Sequence, residues 1–169
     1  MIRPYARTPI VVGMESDDQR LEGLSPLPVD LEELADVLEG DPLTSGGLLD
    51  LDTGEVWPQS VIETLNECEG PDWDEKIENW LSIDSLGSHA AYHDMRDFID
   101  TLSDERLAEN LTIAIEGRGA FRRFKDVLTK RPDLLEEYFA FARSRKIERA
   151  ARWLADNGYL ATGRSSVGE

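Results

Sequence analysis

Gly117-Arg118-Gly119-Ala120-Phe121-Arg122-Arg123-Phe124-Lys125-Asp126-Val127-Leu128 is the stretch on which the reading of this chain turns. Two glycines bracket an arginine, and an amphipathic helix follows. Phe121, Phe124 and Leu128 recur at the spacing of one helical face, while Arg118, Arg122 and Lys125 share a neighbouring one. Gly117 is placed to close the preceding helix in a left-handed cap, and Gly119 permits close approach to the next. The stretch holds no nucleophile, no recognised metal-ligand spacing and no phosphate-loop pattern.

On either side the pattern stays helical. Ser103 is set to cap a helix that turns Leu107, Leu111 and Ile115 (or Ala114) inward. Ser88 is set to cap another through about Leu102, with Met95, Phe98, Ile99 and Leu102 on one face. Downstream, Pro132 and Asp133 open a long final helix. It offers Leu135, Phe139, Ala142, Trp153 and Leu154 to a core, and Asn157-Gly158 stops it. Tyr138, Phe141 and Ile147 fall off that face, as in a helix covered on two sides.

The first half reads differently. Asp30 and Glu33 have capping-box spacing, and Leu31, Leu34, Ala35 and Leu38 then form one apolar helical face up to Gly40. Leu49, Leu51 and Val56 suggest a hairpin around Asp52-Thr53-Gly54, with Gly54 supplying positive φ. Ser60–Glu67 reads as a short helix capped by Ser60. Pro71–Asp74 reads as a turn, and Trp80, Leu81 and Ile83 as a third strand. Residues 1–28, with four prolines and no periodicity, read as a flexible arm, and residues 161–169 as a flexible tail. The expectation is one α+β domain over residues 29–160, a small antiparallel sheet packed against a mainly helical C-terminal half.

Composition sets the function classes. The chain has 169 residues and a net charge of −17. Residues 1–116 carry 6 Lys+Arg against 28 Asp+Glu, a net of −22, and residues 117–169 carry 12 against 7, a net of +5. The halves attract each other within the fold, or one of them meets an oppositely charged partner. The overall charge repels nucleic acid at long range. No apolar run approaches the ~20 residues of a membrane helix, so no membrane is expected. Ile10–Val12 is too brief for a signal peptide. Together with the lone Cys68, this points to a reducing cytoplasm.

At this point the block Gly117–Leu128 resembles the central block of uncharacterised protein family 0158, a bacterial group. Leu49–Val56 (L-D-L-D-T-G-E-V), Met95–Leu102 (M-R-D-F-I-D-T-L) and Ala150–Leu154 (A-A-R-W-L) agree in order, and the resemblance spans Val29 to Gly158. It implies a small α+β protein of the bacterial cytoplasm and brings no catalytic residues.

Other motifs were weighed on their chemistry. Asp52-Thr53-Gly54 is the aspartic-protease tripeptide, but that chemistry needs two facing carboxylates and a mostly β fold. A calcium loop needs its glycine one place later and a glutamate where Val61 stands. His89 and His93 lie four apart on one helical face, which Asp97 extends. Ala90 stands where a zinc peptidase needs its base, and no metal site is expected. Gly117-Arg118-Gly119 suits a phosphate at a helix start, with Arg118, Arg122 and Arg123 adding charge-assisted bonds. The structural reading is favoured for these residues, with Gly117 as a cap, Gly119 for close approach and the arginines paired with acids of the first half, because ion-pair networks often mimic functional clusters.

The reading reached is a non-enzymatic cytoplasmic binding or regulatory protein without a cofactor. Arg118, Arg122, Arg123 and Lys125 would engage an acidic protein or another anionic ligand. Asp52, Gly54, Gly117, Gly119, Phe121, Phe124 and Trp153 are read as structural. One alternative is nucleic-acid binding through the same helix in a helix-turn-helix manner. Another is an enzyme with a carboxylate site at Asp50, Asp52 and Glu55.

Overall fold

A computed structural model describes residues 22–70 and 79–163. In chain order the elements are β1 (Ser25–Leu27), α1 (Leu31–Leu38), β2 (Gly46–Asp50), β3 (Val56–Pro58), α2 (Gln59–Glu69) and β4 (Trp80–Asp84). Then follow α3 (His89–Asp100), α4 (Glu105–Ala114), α5 (Ala120–Leu128), α6 (Pro132–Asp156) and β5 (Tyr159–Ala161). The fold is α+β, with β2 at the centre of a three-stranded antiparallel sheet between β3 and β4.

Local chemistry explains where these elements start and turn. The Asp30 carboxylate accepts from the backbone N–H of Glu32 at 2.8 Å and of Glu33 at 3.3 Å, which opens α1. In the β2–β3 turn, Asp50 accepts from the N–H of Asp52 and of Thr53, an Asx turn. Gly54 completes it at φ +75°, and a Cβ there would lie 2.3 Å from the Pro28 carbonyl oxygen. Glycine is thus required for conformation and for space. Three expected caps differ. Pro58 precedes α2, Ser88 precedes α3 without a side-chain bond, and Asp104 rather than Ser103 caps α4 through the Leu107 N–H at 3.0 Å.

Residues 1–21 and 164–169, most of the arm and tail, lie outside the described residues, as does the expected turn at residues 71–74. The inner edges of both segments are ordered differently from the sequence reading. Ser25–Leu27 pairs in parallel with Tyr159–Ala161. Three-residue strands with a proline carry no periodicity, and their partners lie at opposite ends of the chain.

Two hydrophobic clusters share α6. One joins β1, α1 and the sheet, through Leu27, Val29, Leu34, Leu38, Leu49 and Ile83, to Ala150 and Leu154. The other joins α3, α4 and α5, through Met95, Phe98, Leu111, Phe124 and Leu128, to Tyr138. Phe98, Phe124 and Tyr138 meet edge to face, with centroids 4.7–6.4 Å apart. Phe139, offered to the core by its spacing, is instead 48% exposed, and Tyr138 is buried. At 3.6 residues per turn Tyr138 and Leu154 point about 160° apart, so α6 changes its inward face along its length.

The basic helix and its cleft

α4 and α5 are joined by the bend that the sequence singled out. Gly117 and Gly119 both have positive φ, +75° and +77°. Arg123 reaches back over the bend. Its guanidinium donates to the carbonyl oxygen of Ala114 at 2.9 Å and to those of Glu116 and Arg118. These carbonyls lie at or just past the end of α4, where intrahelical donors run out. Arg123 is therefore engaged as a cap, whereas the other three expected cations project from the surface.

Arg122 is 89% exposed, and its nearest carboxylate, Asp126, is 3.9 Å away in the same helix. Such a pair holds little energy in water. Lys125 stands 5.8 Å above the ring of exposed Phe139. Arg118 is exposed at the bend, and neither Arg118 nor Lys125 pairs with a carboxylate among the described residues. On the inner side Phe124 is fully buried and Phe121 half-buried. Trp153, also half-buried, packs against the sheet-side cluster rather than near α5.

Beside the bend lies a cleft of about 640 Å³, lined in part by Gly87, His89, Tyr92, Gly117, Gly119 and Phe121. The first turns of α3 and α5 both border it, and neither has a side-chain cap. The G-R-G bend and His89, far apart in sequence, are thus brought together. His89 and His93 place their Nε2 atoms 3.2 Å apart. Asp97, on the same face, is held by Arg145 instead. Among the described residues no group of three or more His, Cys, Asp or Glu could hold a metal ion. Cys68 is exposed on α2.

α6 carries five further cations, and four of them are paired within the fold. Arg143 pairs with Glu32, Lys146 with Asp36, and Arg149 with Glu39, all along α1. Arg149 also grips Asp94 of α3 with two bonds, at 3.0 and 2.7 Å, and Arg145 adds a third at 3.3 Å. Asp94 is 2% exposed. Burial lowers the pKa of Arg149, but its bonds to Glu39 and Asp94 outweigh this and hold it above the usual guanidinium range. Sequence reading missed Asp94. The available signal was a carboxylate four residues before Phe98, on the stripe that the core claims.

Two carboxylates of the hairpin are engaged. Asp50 is bound into the turn, and Asp52 accepts from Asn79 at 3.4 Å. Among the described residues no helix is long and apolar enough to cross a membrane.

A family model described as an uncharacterised protein family, UPF0158, matches residues 46–167. The UPF0158 protein PA5073 of Pseudomonas aeruginosa is 29% identical over 147 residues, covering 85% of this chain and 92% of that protein. No solved structure matches. The family match runs from β2 through the G-R-G bend and past β5, so that the three-stranded sheet, most of the cleft and the basic helix fall within it: the chain belongs to the UPF0158 family.

Proposed function

We propose that this protein is a non-enzymatic binding or regulatory protein of the cytoplasm, and that the outer face of α5 engages an acidic protein segment or another anionic ligand. The observation that carries the reading is a difference between two basic helices. Four of the five cations of α6, Arg143, Arg145, Lys146 and Arg149, are matched by acids of α1, its C-cap and α3, whereas Arg118, Arg122 and Lys125 face solvent. Phe139 beside Lys125 adds an apolar contact to the charged one. An acidic segment carrying an apolar side chain matches that pair.

The test is the triple variant Arg118→Ala, Arg122→Ala, Lys125→Ala, with Arg123 left to hold the end of α4. The probe is a glutamate-rich peptide containing leucine, followed by fluorescence anisotropy at low and high salt. Three exposed charges at about 0.5 kcal/mol each predict roughly tenfold weaker binding with an unchanged melting temperature. Equal binding by both proteins, or none by the wild type at low salt, overturns the reading. Tighter binding of a DNA or RNA oligonucleotide, lost steeply with salt, transfers the helix to the nucleic-acid alternative.

A further inference from the structure

We propose that His89 and His93 form a chelating site for one late divalent transition metal ion, of the class of Zn²⁺, Ni²⁺ or Cu²⁺. His89 is the first residue of α3 and His93 lies one turn further along it, so their spacing is set by the helix and not by a loop. They are one turn apart on one face, the placement by which a helix offers two imidazoles to a single ion. Their Nε2 atoms converge to 3.2 Å, and both rings are exposed. Two nitrogens at 2.0–2.1 Å from a tetrahedral zinc stand about 3.3–3.4 Å apart, so the pair already has the separation one ion needs, and the rings have only to aim their Nε2 lone pairs at it.

Donor and acceptor roles in this contact depend on the tautomer of each ring; a metal takes both Nε2 lone pairs, with each ring's N–H on Nδ1. Imidazole suits late transition metals, and the net charge of −17 draws cations toward the surface. Asp97 is occupied by Arg145, so the described residues supply two ligands. The remaining positions fall to water or to an outside donor, and His89 borders the cleft from which such a donor would come.

Zn²⁺ titration of the full chain by calorimetry, in excess Mg²⁺, tests this. Mg²⁺ occupies exposed carboxylates and leaves imidazoles free. The expected result is one equivalent of Zn²⁺, with affinity following Co²⁺ < Ni²⁺ < Cu²⁺ across the series. His89→Gln and His93→Gln each weaken binding at least about tenfold, since a direct ligand is worth no less than its supporting contacts. Cys68→Ser leaves it unchanged. Both histidines are on the surface, and far-ultraviolet circular dichroism checks that α3 persists. Wild-type affinity in both histidine variants, loss of binding in Cys68→Ser, or no uptake by the wild type in Mg²⁺ overturns the proposal.

Discussion

Replacing Arg149 by Met removes the cation that ties α1, α3 and α6 together. Methionine keeps much of the stem and deletes the guanidinium, so the change is mostly one of charge and hydrogen bonding. Three bonds are lost, two to Asp94 and one to Glu39. At about 1.5–3 kcal/mol per charged hydrogen bond the gross loss would be roughly 4.5–9 kcal/mol. Two terms reduce it. Arg145 still reaches Asp94 at 3.3 Å. The desolvation cost of Arg149 itself disappears. What remains is an under-compensated carboxylate at 2% exposure, beside a cation that was only 23% exposed, so water does little to screen it. The expected cost is about 3–5 kcal/mol, the range for removing one partner of a buried pair. Urea denaturation at neutral pH, followed by circular dichroism, measures it. Adding Asp94→Leu to Arg149→Met should recover the part of the loss due to Asp94, because that carboxylate is no longer stranded, while Glu39, with its side chain 9% exposed, stays without Arg149. Arg149→Met within about 0.5 kcal/mol of wild type would refute the reasoning, since surface changes have that size.

Gly54→Ala should destabilise by more than the ~1–2 kcal/mol of left-handed strain, because its Cβ meets the Pro28 carbonyl oxygen at 2.3 Å. Gly117→Ala has open space around it and should cost no more than that strain, a contrast that paired thermal melts would read directly. Burial, and after it the charge of Asp94, pushes the Tyr138 phenol up to about 12. Its contribution is therefore intact below the ~10 of an unfolded tyrosine and lost as the pH climbs through about 12. Tyr138→Phe should flatten the fall in stability over that window, as measured by denaturation at a series of alkaline pH values.

Legibility in the sequence followed the range of the interactions involved. Asp30 opens α1, Gly54 turns the hairpin, and Gly117 and Gly119 frame the bend before α5. Each acts on backbone groups within a few residues, so its effect was visible in the local sequence. The alternation at Leu49 and Leu51, and the helical spacing of Phe124 and Leu128, likewise marked inward faces correctly. Arg123 was legible only as one cation of a basic block. Its engagement with Ala114, Glu116 and Arg118 depends on how sharply the bend folds back.

By itself the sequence determined the order and type of most elements, the hairpin, the G-R-G bend and the concentration of positive charge in the second half. These follow from periodicity, capping and composition, which are properties of neighbouring residues. Only the tertiary structure decided that β1 pairs with β5 and that Tyr138 rather than Phe139 is buried. It also decided that Arg143, Arg145, Lys146 and Arg149 of α6 pair with acids of α1, its C-cap and α3, while Arg118, Arg122 and Lys125 are left to solvent. Which acid meets which base depends on how far each helix is rotated about its axis. That rotation is set jointly by the two hydrophobic clusters on opposite faces of α6, and no local window of sequence contains both.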